Sequence, residues 1–407
     1  MSERAADIAI IGAGPAGAFL ASRLAEAGRD VVLFDPKGAW EKPCGGGVPT
    51  RALREYASLL DRSEYPRKLI QRVTLISPLM RRITIDFDEP FAIYSRQVLN
   101  GLVLDRAIES GARFIRAAVA DFKREADEWH IKTVDGQTWR ARFLVGADGA
   151  ASPTRRKLVG IFPKQDLALA FGYNVTMNES ENLASTNGKA KSSGAHSEEV
   201  IVQFLRDFTG YVWAFPRPGV MNFGVASKLG ERTSDELRAI LKRFVADYYG
   251  GQLPAPERLS FFGAKIPTLD YASWRELRTV GEAWALIGDA AGFADPITGE
   301  GIYYAFRSAD LMAEALLESP AANGYPAVTA AYEQSWREAF GHDLERASRR
   351  LPLFYRGRFC GRIFTDAMIL LARYHRGVRR VLVRAVVGYQ SYATLKRELL
   401  RSMLHVF

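Results

Sequence analysis

Six residues near the start of the chain, Gly12-Ala13-Gly14-Pro15-Ala16-Gly17, constrain the fold more than any other stretch. They follow the short apolar run Asp7-Ile8-Ala9-Ile10-Ile11, which reads as a buried parallel strand, and lead into a helical pattern ending near Gly28. A second apolar run, Val31-Val32-Leu33-Phe34, closes on Asp35. Gly12 permits the tight turn, Gly14 lets backbone approach a pyrophosphate, and Gly17 lets the helix lie close on the strand. The helix start supplies unpaired N–H groups and a partial positive charge for phosphates. Asp35 stands 18 residues after Gly17, near the offset of about 20 at which a carboxylate accepts hydrogen bonds from a ribose. Strand, turn, helix, strand and acid in this order point to an α/β, Rossmann-type domain that binds a dinucleotide.

At 407 residues and 48% hydrophobic, the chain is long enough for two domains with their own cores. Two cysteines exclude a disulfide framework and point to a reducing compartment; with five scattered histidines they show no zinc-type spacing, so no metal is expected. The apolar stretch at residues 8–20 resembles a secretion signal, but Asp7 interrupts the charge pattern and the glycines belong to the turn. The longest later apolar run, residues 367–372, falls far short of the roughly 20 residues of a membrane span. The expectation is a soluble, cytoplasmic protein, with peripheral membrane attachment left open.

Two later segments repeat the design of an apolar strand ending in Gly and Asp. The first is Phe143-Leu144-Val145-Gly146-Ala147-Asp148-Gly149, with Arg155, Arg156 and Lys157 opening a helix after it. The second is Trp284-Ala285-Leu286-Ile287-Gly288-Asp289, continuing through Pro296 to Gly299-Glu300-Gly301-Ile302 and another helix. Each alone is an ordinary strand-end turn, because Asp and Gly favour such positions. Together with the first turn they resemble the FAD-binding flavoproteins that include aromatic hydroxylases and geranylgeranyl reductases. That resemblance implies FAD as cofactor, with Asp289 at the ribityl chain and residues 296–302 at the flavin ring edge. It makes Asp148 and Gly149 the middle motif, and Arg96 a side chain that reaches the cofactor from the opening of a helix.

Two more segments resemble the geranylgeranyl reductase family in particular. Lys42-Pro43-Cys44-Gly45-Gly46-Gly47 contains a Cys-Gly-Gly run that this family carries beside the flavin, and three glycines leave the backbone bare for a flat ring. Gly210-Tyr211-Val212-Trp213-Ala214-Phe215-Pro216 matches the family's Tyr-x-Trp-x-Phe-Pro segment at every fixed position. Residues 211, 213 and 215 alternate along a strand, so three aromatic rings share one face. Such a face suits an isoprenoid chain, and its π-clouds suit a developing positive charge. The resemblance implies reduction of isolated C=C bonds of a prenyl chain, with Cys44, and more weakly Tyr211, as candidates in the proton step, and NADPH or ferredoxin as donor. The substrate would be an isoprenoid or a prenylated lipid or pigment. An oxygen-using flavin hydroxylase or halogenase shares the cofactor motifs, although halogenase relatives carry Trp-x-Trp-x-Ile-Pro where this chain has Tyr211 and Phe215. A flavin-bearing accessory factor that acts on a partner protein is the reading of another class.

The expected organisation is a discontinuous FAD domain, 1–70, 95–160 and 277–335, with a substrate domain inserted at 71–94 and 161–276. Strands at 170–177, 199–205, 211–215, 221–226 and 259–266 read as an antiparallel sheet, 234–249 as a helix and 179–197 as a polar surface loop. Residues 336–407 form a basic helical region, broken near Pro352 and again at Gly357, Gly361 and Gly377. The formal charge of +9 is concentrated there: fifteen basic residues against five acids give the tail +10 and leave −1 for the rest. A basic helical tail with apolar faces suits an anionic membrane surface or an acidic electron donor; no nucleic-acid module accompanies it.

Overall fold

The computed structural model describes residues 4–178, 198–318 and 324–404, so the polar segment expected as a surface loop at 179–197 lies outside the described residues. The chain divides into two compact units. The first comprises Met1–Lys42, Arg96–Pro163 and Tyr271–Glu345; the second comprises Pro43–Ser95, Lys164–Asp270 and Arg346–Phe407.

The first unit is built on five parallel strands. Their spatial order is Arg113–Ile115, Val31–Phe34, Arg4–Ile11, Thr138–Gly146 and Trp284–Leu286, with Val280–Gly281 antiparallel at the end. A hairpin of Val119–Glu125 and Glu128–Thr133 pairs antiparallel along the beginning of Thr138–Gly146. The central strands are apolar without alternation because helices cover the sheet: Ile8, Ile10, Val32, Phe143 and Val145 are all buried. The strand order reverses between Arg4–Ile11 and Thr138–Gly146. A crevice forms outside the carboxyl ends of strands at such a switch point, where ligands of open α/β sheets bind.

The second unit holds an eight-stranded sheet in the order Leu259–Pro267, Leu167–Thr176, Val220–Lys228, Gly210–Arg217, Val200–Phe204, Arg67–Ile76, Arg82–Tyr94, Gly47–Val48. Every neighbouring pair is antiparallel except Val200–Phe204 with Arg67–Ile76, which run parallel. The helix Ser234–Tyr248 starts on a capping box between Thr233 and Glu236 and buries Leu237, Leu241 and Val245 against one face. That face is supplied by Val212, Ala214, Phe223 and Val225, the even members of one strand and the odd members of its neighbour.

Several boundaries differ from the sequence reading. Residues 43–70, grouped there with the FAD domain, fold with the second unit, because Gly47 and Val48 pair with Ile93 and Ala92 at the sheet edge and 67–76 is a full strand. The tail is not a separate region: residues 336–345 belong to the first unit and 346–407 to the second. Pro352 does not break its helix, which runs as His342–Arg356, since burial of Leu351 and Tyr355 outweighs the lost backbone hydrogen bond. The break falls at the hairpin Arg358–Phe359 with Arg362–Ile363. A second break falls at His375, between Phe364–Tyr374 and Arg376–Val386, two residues before the expected Gly377, whose bare Cα in the first turn of the new helix faces Ser402; a Cβ there would stand 2.6 Å from the Ser402 carbonyl oxygen.

Candidate functional site

In the first unit the three glycine-acid motifs meet at the switch point. Gly12 has φ +105°, and a side chain there would collide with the backbone of Ala147, at the end of the neighbouring strand. Ala147 N donates to Ile11 O at 2.7 Å, and Ile287 N donates to Gly146 O at 3.0 Å, so three adjacent strand ends are tied in series. Gly288 continues the row: a Cβ there would lie 3.0 Å from Cβ of Ala16 in the glycine turn. Gly14, as the residue before the helix Pro15–Glu26, differs from its neighbours, because a Cβ added to it meets nothing within 4 Å.

Asp35 closes the turn. Its Oδ2 accepts from Ala13 N at 3.0 Å, while Oδ1 accepts from Lys37 N at 2.8 Å and Gly38 N at 2.9 Å. Across the crevice Lys42 Nζ donates to Asp289 Oδ2 at 2.9 Å, and the place of a Gly149 Cβ lies 3.7 Å from the same Nζ. Lys42 was not singled out by the sequence reading, and no spacing rule joins it to a carboxylate 247 positions away.

Asp148 is occupied by its own chain. One carboxylate oxygen accepts from the Ser152 hydroxyl and the other from Thr154 N at 2.9 Å, at the start of the helix Pro153–Leu158. Burial raises its carboxyl above the ordinary range, opposed by those hydrogen bonds. Arg155, in the helix that follows, lays its guanidinium over Phe162 at 3.9 Å.

Residues 295–302 form a closed turn. Asp295 Oδ1 accepts from Ile297 N at 2.8 Å and Thr298 N at 3.0 Å, Asp295 N donates to Glu300 O, and Gly299 N donates to Asp295 O, both at 2.8 Å. Pro296 is buried within it and Ile302 opens the helix Ile302–Glu318. Gly301 leaves only 3.1 Å between its Cβ position and Asp289 Oδ1. Glu300 Oε1 accepts from Tyr303 N at 2.8 Å; burial, then the charges of Asp295 and Asp289, push its carboxyl up to about 8.

Arg96 begins the helix Arg96–Glu109, whose first amides are satisfied by Glu41: Arg96 N and Gln97 N donate to its carboxylate at 3.3 and 3.1 Å. The Arg96 side chain is buried and donates to Asn100 Oδ1 at 3.3 Å, but its Nε has no acceptor among the described residues. An orphaned buried donor and open space over Gly14 both fit a bound anionic dinucleotide.

In the second unit the aromatic strand turns its odd residues away from the helix. Tyr211, Trp213 and Phe215 form a ladder with ring centroids 5.8 and 6.3 Å apart, joined by Ala170, Ala226, Phe262 and Ile266. Trp213 stands opposite Gly224, which stands opposite Gly172 on the next strand. The indole lies over Gly224 where a side chain would be, and Phe262 reaches to 2.6 Å from the Cβ position of Gly172. The indole N–H donates to Asn222 Oδ1 at 2.7 Å and Asn222 Nδ2 to Asn174 Oδ1 at 2.7 Å, which fixes the ring in its plane. The Cys44 segment packs on this ladder: Cβ positions at Gly45 and Gly47 fall 2.9 and 3.3 Å from the Phe215 ring. The ring that the bare backbone admits within this unit is thus Phe215. Cys44 Sγ accepts from Gly46 N at 3.3 Å, and the buried Arg217 guanidinium donates to the Cys44 carbonyl.

The sequence-derived residues thus fall into two groups. The turn 12–17, Asp35, Arg96, Asp148, Gly149, Gly288, Asp289 and 296–302 lie in the first unit; Cys44 to Gly47, Tyr211, Trp213 and Phe215 lie in the second. Among the described residues no cluster of His, Cys, Asp and Glu could hold a metal.

Residues 5–348 match the model of the FAD binding domain family. The chain is 27% identical to the geranylgeranyl diphosphate reductase of Rhodobacter capsulatus over 322 residues, 76% of this chain and 75% of that protein. Its fold is similar to a geranylgeranyl bacteriochlorophyll reductase-like protein of Thermoplasma acidophilum, with TM-score 0.72 at 19% identity over 94% of this chain and 99% of the other. It is also similar to the p-nitrophenol 4-monooxygenase of Pseudomonas putida, with TM-score 0.69 at 16% identity over 95% and 99%. One fold thus serves reductases and oxygenases, and at these identities the likeness shows the fold alone. The match over most of the chain establishes what the converging strand ends suggest: this protein belongs to the FAD binding domain family and is an FAD-dependent oxidoreductase.

Proposed function

We propose that this protein saturates isolated C=C bonds of a prenyl chain of the geranylgeranyl type. The observation that carries the reading is the aromatic ladder Tyr211, Trp213, Phe215, laid over Gly224 and locked by Asn222 on the sheet face away from the helix. On that face Trp213, Ala170 and Ala226 are buried, whereas Tyr211, Phe215, Phe262 and Ile266 stay only partly buried and leave apolar surface open. The similarity to the Rhodobacter capsulatus reductase supports the same reading.

In this proposal FAD is held at the turn 12–17, Asp35, Arg96, Asp289 and 296–302, with Asp148 and Gly149 shaping the middle turn. Bound and reduced, it supplies the hydride that adds to one alkene carbon. The protein's own residues do the rest. The aromatic ladder binds the apolar chain, keeps water off it and stabilises positive charge that develops on it. The second alkene carbon takes a proton, which we assign to Cys44 Sγ directly or through a water, with Tyr211 Oη as the weaker candidate. The Gly46 N–H and the Arg217 guanidinium hold the Cys44 segment in place for that role. Reducing equivalents come from NADPH or a ferredoxin; the chain has no second Gly-x-Gly-x-x-Gly turn for a pyridine nucleotide.

The test is anaerobic. The flavoprotein is reduced and mixed with geranylgeranyl diphosphate. Reoxidation of the flavin with a product mass gain of about two per reduced bond supports the proposal. Flavin that stays reduced across a panel of prenyl lipids and reoxidises only with oxygen, giving an oxygenated product, sinks it in favour of an oxygenase. Cys44→Ala is expected to slow alkene reduction by about 100-fold and leave flavin reduction unchanged.

A further inference from the structure

We propose that the C-terminal helices of the second unit carry a docking face for an anionic membrane surface, centred on the helix Arg376–Val386. Within that helix Val378 and Val381 are buried, while Arg376, Arg379, Arg380 and Arg384 are exposed. Their spacing of three and four places all four on one side. Arg373 and Tyr374 end the preceding helix, Phe364–Tyr374, and Tyr374 is 80% exposed. The following helix, Leu395–Leu404, lies against Gly377 through Ser402 and exposes Lys396, Arg397, Leu400 and Arg401, with Leu400 54% exposed.

The charge is of one sign. Residues 371–402 hold eight arginines and lysines and a single acid, Glu398, which stands 3.8 Å from Arg397 and 4.0 Å from Arg401. Arg379 is used within the protein, donating to the Ala372 and Arg373 carbonyls at the end of the preceding helix. Among the described residues Arg373, Arg376, Arg380 and Arg384 have no carboxylate within ion-pair distance. Folding does not call for this arrangement. Arg376 and Arg379 sit in the first turn of their helix, where the macrodipole disfavours cations. An ordinary solvated helix face mixes the two signs to gain pairs along the helix.

An acidic protein would need the charges alone. The exposed phenol of Tyr374 beside them, and Leu400 on the adjoining basic helix, favour a lipid surface, where an amphipathic ring settles at headgroup depth and arginines meet phosphates. Each basic residue near an anionic leaflet strengthens binding about fivefold, so the three free arginines of the central helix account for about 100-fold.

The experiment is co-sedimentation of the FAD-loaded protein with vesicles of phosphatidylcholine, with and without phosphatidylglycerol. Binding to the phosphatidylglycerol vesicles alone, released by salt and weakened about 100-fold in Arg376→Gln/Arg380→Gln/Arg384→Gln, is expected. The variant should keep the flavin spectrum and melting temperature of the parent. Tyr374→Ser should weaken vesicle binding further, with the salt dependence unchanged. The proposal is overturned if the parent ignores anionic vesicles, or if the triple variant binds them as well as the parent does. It is equally overturned if the three arginines prove necessary for binding a plant-type acidic ferredoxin while vesicles are not bound.

Discussion

Gly12 and Gly17 in the first unit are enclosed by backbone, whereas Gly45 and Gly47 in the second are enclosed by one phenyl ring. A side chain at Gly12 would run into Ala147, and one at Gly17 into the carbonyl of Gly12, neither of which can yield. A side chain at Gly45 would press on Phe215, whose ring can turn. Between Gly12 and Gly17 stands Gly14, whose Cβ position is empty to 4 Å. Two reasons for glycine are therefore present in one six-residue turn. The outer two are demanded by the close approach of helix and strands, whereas nothing the chain itself contains requires the middle one.

Substitutions separate these reasons, and the largest effect is expected at Gly12. Gly12→Ala combines a φ of +105° with a backbone collision and should destabilise the protein by about 3 kcal/mol or more, with loss of bound flavin. Thermal melting with flavin absorbance checks this; a normally folded yellow variant would refute the close approach.

Glu300 comes next. Its carboxyl holds a proton in the folded state up to a pH of about 8, whereas an unfolded glutamate releases it near 4.3. Across that window the folded state binds more protons, so stability falls as pH rises, by at most about 1.4 kcal/mol per pH unit. Melting temperatures between pH 5 and 8 should decline in the parent and decline less in Glu300→Gln. Identical slopes would show that the carboxyl is already ionised.

Gly14→Ala should leave the unfolding free energy of the flavin-free protein within about 0.5 kcal/mol and weaken FAD binding about tenfold. Titration of stripped protein with FAD measures the second effect. Unchanged affinity would mean that the space over Gly14 is not ligand space. The mildest change is expected at Gly45→Ala, about 1 kcal/mol, recovered in part when Phe215→Leu is added. A double-mutant cycle by denaturant unfolding reads this coupling. Additive effects would show that the segment can move off the ring.

Much of the geometry of the candidate cofactor site was legible because its requirements are local. A tight turn, a helix start and an acid at the next strand end lie within about 20 residues of one another and repeat a spacing fixed by strand and helix geometry. The aromatic face was legible for the same reason, since alternation along one strand places residues 211, 213 and 215 together whatever their neighbours are. What stayed hidden are choices between partners. The resemblance makes Asp148 part of the middle motif, but only the fold gives its carboxylate Ser152 and Thr154 as partners at the start of the next helix. Lys42 gave no signal, because its partner Asp289 is reached only through the fold. Pro352 carries a strong local preference against helix that packing overrides.

The sequence by itself determined a parallel α/β unit with a dinucleotide turn, an aromatic strand face and a basic tail, since each follows from backbone geometry or charge counted along the chain. Tertiary structure alone decided that the Cys44 segment edges the second unit's sheet, that 200–204 pairs parallel with 67–76, and that Gly224 makes room for Trp213. Those outcomes depend on which distant strands and helices come to adjoin. That is set by burial summed over many weak contacts, and no short stretch of residues encodes it.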